Sequence, residues 1–167
     1  MTSRTDDAQP KRQPLLPPGP LTVSRVPLPL AARDRIAWRI AALALCLFHC
    51  RSHTASIAQL QILFWSLRDP RNANALLSHW RGERGFELDS SASADPALLD
   101  TLRLAEAAQL IELQGSGKYK LADAGERFAE ALSASDPITL DQEQAFLREI
   151  SPITEAGMER HLGVTLH

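Results

Sequence analysis

This sequence is short of the features that announce chemistry. Two cysteines, Cys46 and Cys50, are too few and too close together for a secreted disulfide framework, and they fit a reduced compartment. The longest apolar run, Ile40–Phe48, has nine residues and cannot span a bilayer. The N-terminus has no apolar segment of the signal-peptide kind, so the expected location is cytoplasmic. Neither GxxxxGK[ST] nor GxGxxG occurs, so no phosphate-cradling loop is expected. HExxH and a GxSxG elbow are missing too, and the acidic residues are scattered over helix starts and polar faces. The expectation is a non-enzymatic chain with no catalytic residue, cofactor, metal or small-molecule substrate.

Charge is small in sum and uneven in place. The net charge is −2, with +2 over residues 1–30, +5 over 31–85 and −9 over 86–167. One basic and one acidic region on a small protein suit different partners on different faces. Seven of the eleven prolines fall within residues 1–30, where missing N–H groups and fixed φ exclude a regular helix or central strand. This stretch reads as a flexible, partly extended arm. Its apolar residues Leu21, Val23, Val26, Leu28 and Leu30 leave two roles open, a solvated tail or a docking segment.

Residues 31–135 hold the main pattern. A first helix is predicted from about Ala31 to His49, with Ile36, Ile40, Leu43 and Leu47 on one stripe. Ala41, Ala44, Leu45 and Phe48 make it apolar almost all round, which places it at the centre of a core. Ser56 and Gln59 have capping-box spacing ahead of a second helix that carries Ile57, Leu60, Phe64 and Leu67. Trp65 lies off that stripe, so it either widens the core or faces a partner. Asp69-Pro70, Asp95-Pro96, Asp136-Pro137 and Ser151-Pro152 are four helix starts, because Asp and Ser cap well and proline suits the first turn. Leu76, Leu77 and Trp80 give the third helix its apolar side, and Gly82 ends it. A short strand at Phe86–Leu88 and an exposed loop at Asp89–Asp95 follow.

Leu98 to Leu132 then reads as helix, hairpin and helix. Leu98, Leu102 and Ala105 share a face, with Leu99 beside them. The arms Leu110–Gln114 and Lys118–Leu121 alternate apolar with polar residues, and Gly115-Ser116-Gly117 joins them. Asp123 and Glu126 have capping-box spacing for the following helix. Residues 136–167 form a C-terminal helical extension, with a helix over Leu140–Ile150 and a short one from Pro152. It either packs on the core or docks a partner. The fold class is therefore mainly α with a small β-hairpin, a winged-helix-like domain with additional N- and C-terminal helices.

The helix–hairpin–LADAGERF order resembles the end of winged-helix domains. A closer resemblance is carried by RIAWRIAALALCLFHC, by SIAQLQILFWSLRDPRNANALLSHWRG and by LIELQGSGKYKLADAGERF. Together these resemble the small winged-helix middle components of bacterial three-component ABC-ATPase systems, Lamassu-type defence operons among them. The resemblance covers about Ile36 to Leu132. It implies an accessory subunit that binds an SMC-like ABC ATPase and helps hold an effector nuclease in check.

DNA contact is expected to be weak or indirect. The helix before the hairpin, Pro96–Gln109, carries Arg103 against Asp100 and Glu106, with Gln109 at its far end, which is poor for reading base edges. Arg103, Lys118 and Lys120 are the candidates for backbone contact. Arg68, Arg71, Arg81 and Arg84, with Trp65 and Trp80, form the candidate partner-binding set around the third helix. The alternative class is a winged-helix transcription regulator. Cys46, His49, Cys50 and His53 have metal-competent side chains at helical spacing, but one helix cannot surround an ion, so His79 or another segment would have to join them. Two buried thiols at the end of a core helix, with the histidines near its carbonyl end, is the preferred reading.

Overall fold

The structure is a computed structural model that describes residues 35–83, 95–134 and 140–162. The N-terminal arm, Arg84, the strand at Phe86–Leu88, most of the loop before Asp95 and the start at Asp136-Pro137 lie outside the described residues.

Helix α1 (Ile36–His49) is the axis of the fold. Every residue from Ala41 to Leu47 is buried, so this helix has no solvated face in its middle. A helix that is apolar all round must be covered on every side. The covering comes from α2 (Ile57–Arg68), α4 (Pro96–Ala107), α5 (Asp123–Ala134), α6 (Asp141–Ile150) and the short strands. Ile36, expected on the core stripe, is exposed because the first turn projects beyond these neighbours.

The sheet is antiparallel, in the order β1-β3-β2, from β1 (Thr54–Ala55), β2 (Ile111–Leu113) and β3 (Tyr119–Leu121). The hairpin register pairs Ile111 with Leu121, Glu112 with Lys120 and Leu113 with Tyr119. Ile111 and Leu121 turn inward and are buried. Leu113, which alternates with Glu112 as Ile111 does, is 52% exposed at the end of its three-residue strand. Gln109 closes α4 at φ 57°, and the Leu110 N–H donates to Ala105 O at 2.9 Å, a left-handed stop more often made by glycine.

The caps explain most boundaries. Ser56 and Gln59 exchange bonds as a full capping box. Asp69 accepts from the Arg71 N–H ahead of α3 (Pro70–Trp80), and Asp95 does the same for Ala97 ahead of α4. Two expectations fail. Helix α5 has Ala122 at its cap position, where its carbonyl accepts from Glu126 N, so Asp123 is not a cap and the Glu126 carboxylate is used elsewhere. The last helix, α7 (Glu155–Leu162), starts beyond Ser151-Pro152, whose peptide bond is cis. Ile153 is taken into an isolated bridge with Cys50: its N–H donates to His49 O at 3.0 Å, and its carbonyl accepts from Arg51 N at 2.9 Å. Thr154 Oγ1 then accepts from Gly157 N at 3.0 Å.

Residues 140–162 share the main core. Phe146, Leu147, Ile150, Ile153, Met158 and Leu162 belong to the same buried cluster as α1, so these two helices pack on the core. The hairpin is locked to α5 through Gly125. A Cβ built there meets the Leu110 carbonyl oxygen at 2.0 Å. Gly125→Ala should therefore destabilise the fold by about 2 kcal/mol or more, whereas Gly115→Ala, which meets nothing within 4 Å, should stay within about 0.5 kcal/mol. Urea unfolding of the two variants checks this.

Candidate interaction surfaces

The candidate reader helix, α4, buries Leu98, Thr101, Leu102 and Ala105 against α1 and the hairpin. Its outer surface shows Leu99, Asp100, Arg103, Leu104 and Glu106. Leu99 and Leu104 are each 47% exposed. Arg103 Nη1 lies 3.4 Å from Asp100 Oδ1. Lys118 reaches across to α7 and pairs with Glu155. Lys120 sits opposite Glu112 in the hairpin register, and its charge also acts on Glu126. The three cations expected to meet a DNA backbone thus all have a carboxylate of this chain as a neighbour.

The partner-binding set is divided in space. Arg68 ends α2 and Arg71 opens α3, so both stand at the α2–α3 corner together with Trp65. Arg71 is 89% exposed at the side chain and bonds to Asp69 through Nε and Nη2. The Trp65 carbonyl accepts from Asn72 Nδ2 at 2.9 Å. Arg81 and Trp80 lie at the other end of α3, about 15 Å along the helix from Arg71. There Arg81 pairs with Glu149 of α6, and the half-buried Trp80 ring stacks on His161 of α7, 4.4 Å between centroids. The expected single basic patch is therefore two sites, because a helix of eleven residues separates them. Between them runs a groove of about 700 Å³ lined by α2, α3, α6 and the start of α1.

The CLFHCRSH segment resolves into packing. Cys46 and Cys50 are buried free thiols, and burial pushes both up, Cys50 to about 12. Thiols held protonated in this way are poor metal ligands and poor nucleophiles. His49 is pushed down by burial and by the Arg148 charge, so the favourable helix-end site for a cation expected there is overridden. Among the described residues no three His, Cys, Asp or Glu side chains are grouped to hold an ion. His53 turns away from the thiols, stacks on Phe48 at 5.1 Å and bonds Glu126 Oε1 through Nδ1 at 2.8 Å. Ser52 and His53 adopt positive φ to make this turn.

Arg39 is the residue that the sequence hid. It stands near the start of α1, where an arginine is ordinarily solvated, yet it is buried, with 7% exposure. Its Nη2 donates to Asp95 Oδ2 at 2.7 Å, its Nε donates to Thr101 Oγ1 at 2.8 Å, and its guanidinium lies 5.2 Å from the Phe64 ring centroid. Its role is to hold α1, α2 and α4 together rather than to bind a partner.

Comparison with known families, curated proteins and solved structures finds no match to this chain. No helix among the described residues is long and apolar enough to cross a membrane.

The His53–Glu126 bond ties the turn after α1 to α5 and has a pH signature. Glu126 is held below the ordinary glutamate value, first by its bond to His53 and then by the His53 and Lys120 charges. A depressed carboxylate contributes stability above its unfolded-state value and loses it as pH falls through its lower folded value. Glu126→Gln should therefore lower the melting temperature near neutral pH by a small amount, and the two proteins should converge in strong acid. Thermal melts across the acid range test this, and a gap that is constant with pH would contradict it.

Proposed function

We propose that this chain is a non-enzymatic accessory subunit of an SMC-like ABC-ATPase defence complex. It acts in the cytoplasm through protein contacts with the ATPase and with an effector nuclease that it helps restrain. The observation that carries the reading is the outer surface of α4 and the hairpin. Where a duplex-reading winged helix needs unopposed cations and base-edge donors, this one offers Leu99, Leu104 and Leu113 between Asp100, Arg103 and Glu106. Exposed leucines among paired charges suit a protein interface, where apolar contact is surrounded by a polar rim.

Three further features support it. The element order of helix, strand, helices, hairpin and helix, with strands ordered β1-β3-β2, suits a winged-helix frame. That frame hosts protein-binding as well as DNA-binding members. The corner of Trp65, Arg68 and Arg71 presents aromatic and arginine side chains together, the residue types enriched at binding hot spots. The resemblance of residues 36–132 to middle components of three-component systems supplies the partner class.

A native pull-down of the tagged full chain, with and without nuclease, tests the proposal. The expected result is a nuclease-resistant complex with a long coiled-coil ATPase. Recovery should fall by about tenfold or more when Arg68→Glu and Arg71→Glu are combined, since like charges facing each other at an interface cost more than a kcal/mol. Recovery of the protein alone with nuclease-sensitive DNA would overturn the proposal in favour of a transcription regulator.

A further inference from the structure

The groove beside α3 has an apolar floor of Trp38, Leu67, Ala73, Leu77 and Phe146. Its rim is polar, with Arg68 at one end and Glu143 and Glu149 along α6. Glu149 is already engaged by Arg81, which leaves Glu143 as the carboxylate most open to an incoming cation. The walls run from Pro70 to Leu77 on α3 and from Gln142 to Glu149 on α6. At 1.5 Å per residue each wall is about 10 Å long.

The chain itself carries a segment of matching length and chemistry. Residues 26–30 read VPLPL, alternating proline with Val26, Leu28 and Leu30. In polyproline II geometry five residues extend about 12 Å, and such segments dock into aromatic-lined apolar grooves at little entropic cost. Arg25 and Arg33 bracket the segment, opposite in sign to Glu143. The tether is short. The described chain begins at Arg35, and Trp38 of the groove floor lies in the first turn of α1. The five residues from Leu30 to Arg35 reach up to about 17 Å when extended. A segment held so close competes at an effective concentration in the millimolar range, which a free partner would have to exceed.

We propose that Val26–Leu30 is the resting occupant of this groove within the same molecule, a plug that any partner using the groove must displace. The proposal concerns this chain's own arm and does not depend on which complex the protein joins.

Photocrosslinking in the full chain tests it. A p-benzoylphenylalanine probe replaces Asn74 on one wall or Gln142 on the other, both exposed positions, and a probe at Glu112 on the hairpin is the control. Equal amounts of isotopically light and heavy protein are mixed before irradiation. Trypsin should cut after Arg25 and Arg33 and release residues 26–33. The expected result is a crosslink from both groove probes to this fragment, with both parts of the same isotope, and none from the control. Combining Leu28→Asp with Leu30→Asp should lower the yield by about tenfold or more, because a carboxylate is poorly accommodated on an apolar floor. Absence of the 26–33 fragment, light–heavy products that place a second copy in the groove, or a yield indifferent to the arm substitutions would each overturn the proposal.

Discussion

Helix α1 has no face that water can serve, and the rest of the molecule is arranged to cover it. From Ala41 to Leu47 every side chain is buried, so α2 and α4 before the hairpin and α5 and α6 after it pack on this one element. Its one buried cation is accommodated by three neighbours, the Asp95 carboxylate and the Thr101 hydroxyl from α4 and its cap, and the Phe64 ring from α2. A buried guanidinium is tolerable only when paired and hydrogen-bonded, and this pairing also fixes the entry to α4. The cap of α4, the start of the core helix and the middle of α2 are thereby set against one another.

Polar side chains close to the core are drawn into the same frame. Burial pushes the Cys46 and Cys50 thiols up, and His53 is drawn into a contact with Glu126 that fastens the turn to α5. The hairpin is tied at its base by the close approach of Gly125 to Leu110 and at its far arm by Lys118 to Glu155. The hairpin and the last helix therefore belong to one frame. What remains outward is a set of surfaces: the leucine-bearing side of α4 and β2, the Trp65–Arg68–Arg71 corner, and the groove between α3 and α6. In the proposed reading these are the surfaces that would meet partner chains.

Local chemistry was legible in the sequence where it depends on neighbours a few residues apart. Ser56 with Gln59, Asp69 with Pro70, Asp95 with Pro96, and the paired glycines of the hairpin all act within one turn, and their elements form where the spacing places them. The misreadings share the opposite cause. Arg39 and Asp95 are 56 positions apart, and His53 and Glu126 are 73 apart, so nothing local distinguishes a buried arginine from a solvated one or a spare glutamate from a bonded one. Ser151-Pro152 has the composition of a helix start, but Ile153 is claimed by Cys50 from the far end of α1. Arg71 and Arg81 look like one patch along the chain and are separated by the length of the helix that joins them. The all-round apolar character of α1 was the exception, a long-range property written in one short stretch.

The central claim is that this frame meets proteins rather than phosphates, and duplex binding as a function of salt tests it most directly. Fluorescence anisotropy of the full chain with labelled duplexes of mixed sequence, from low to physiological salt, is the measurement. With Arg103, Lys118 and Lys120 each beside a carboxylate, the account predicts binding no tighter than about 10⁻⁵ M near physiological salt, and a log–log salt slope no steeper than about −2, that of at most two phosphates neutralised. Submicromolar, sequence-selective binding with a slope of about −5 or steeper would contradict it and make α4 a reader of DNA.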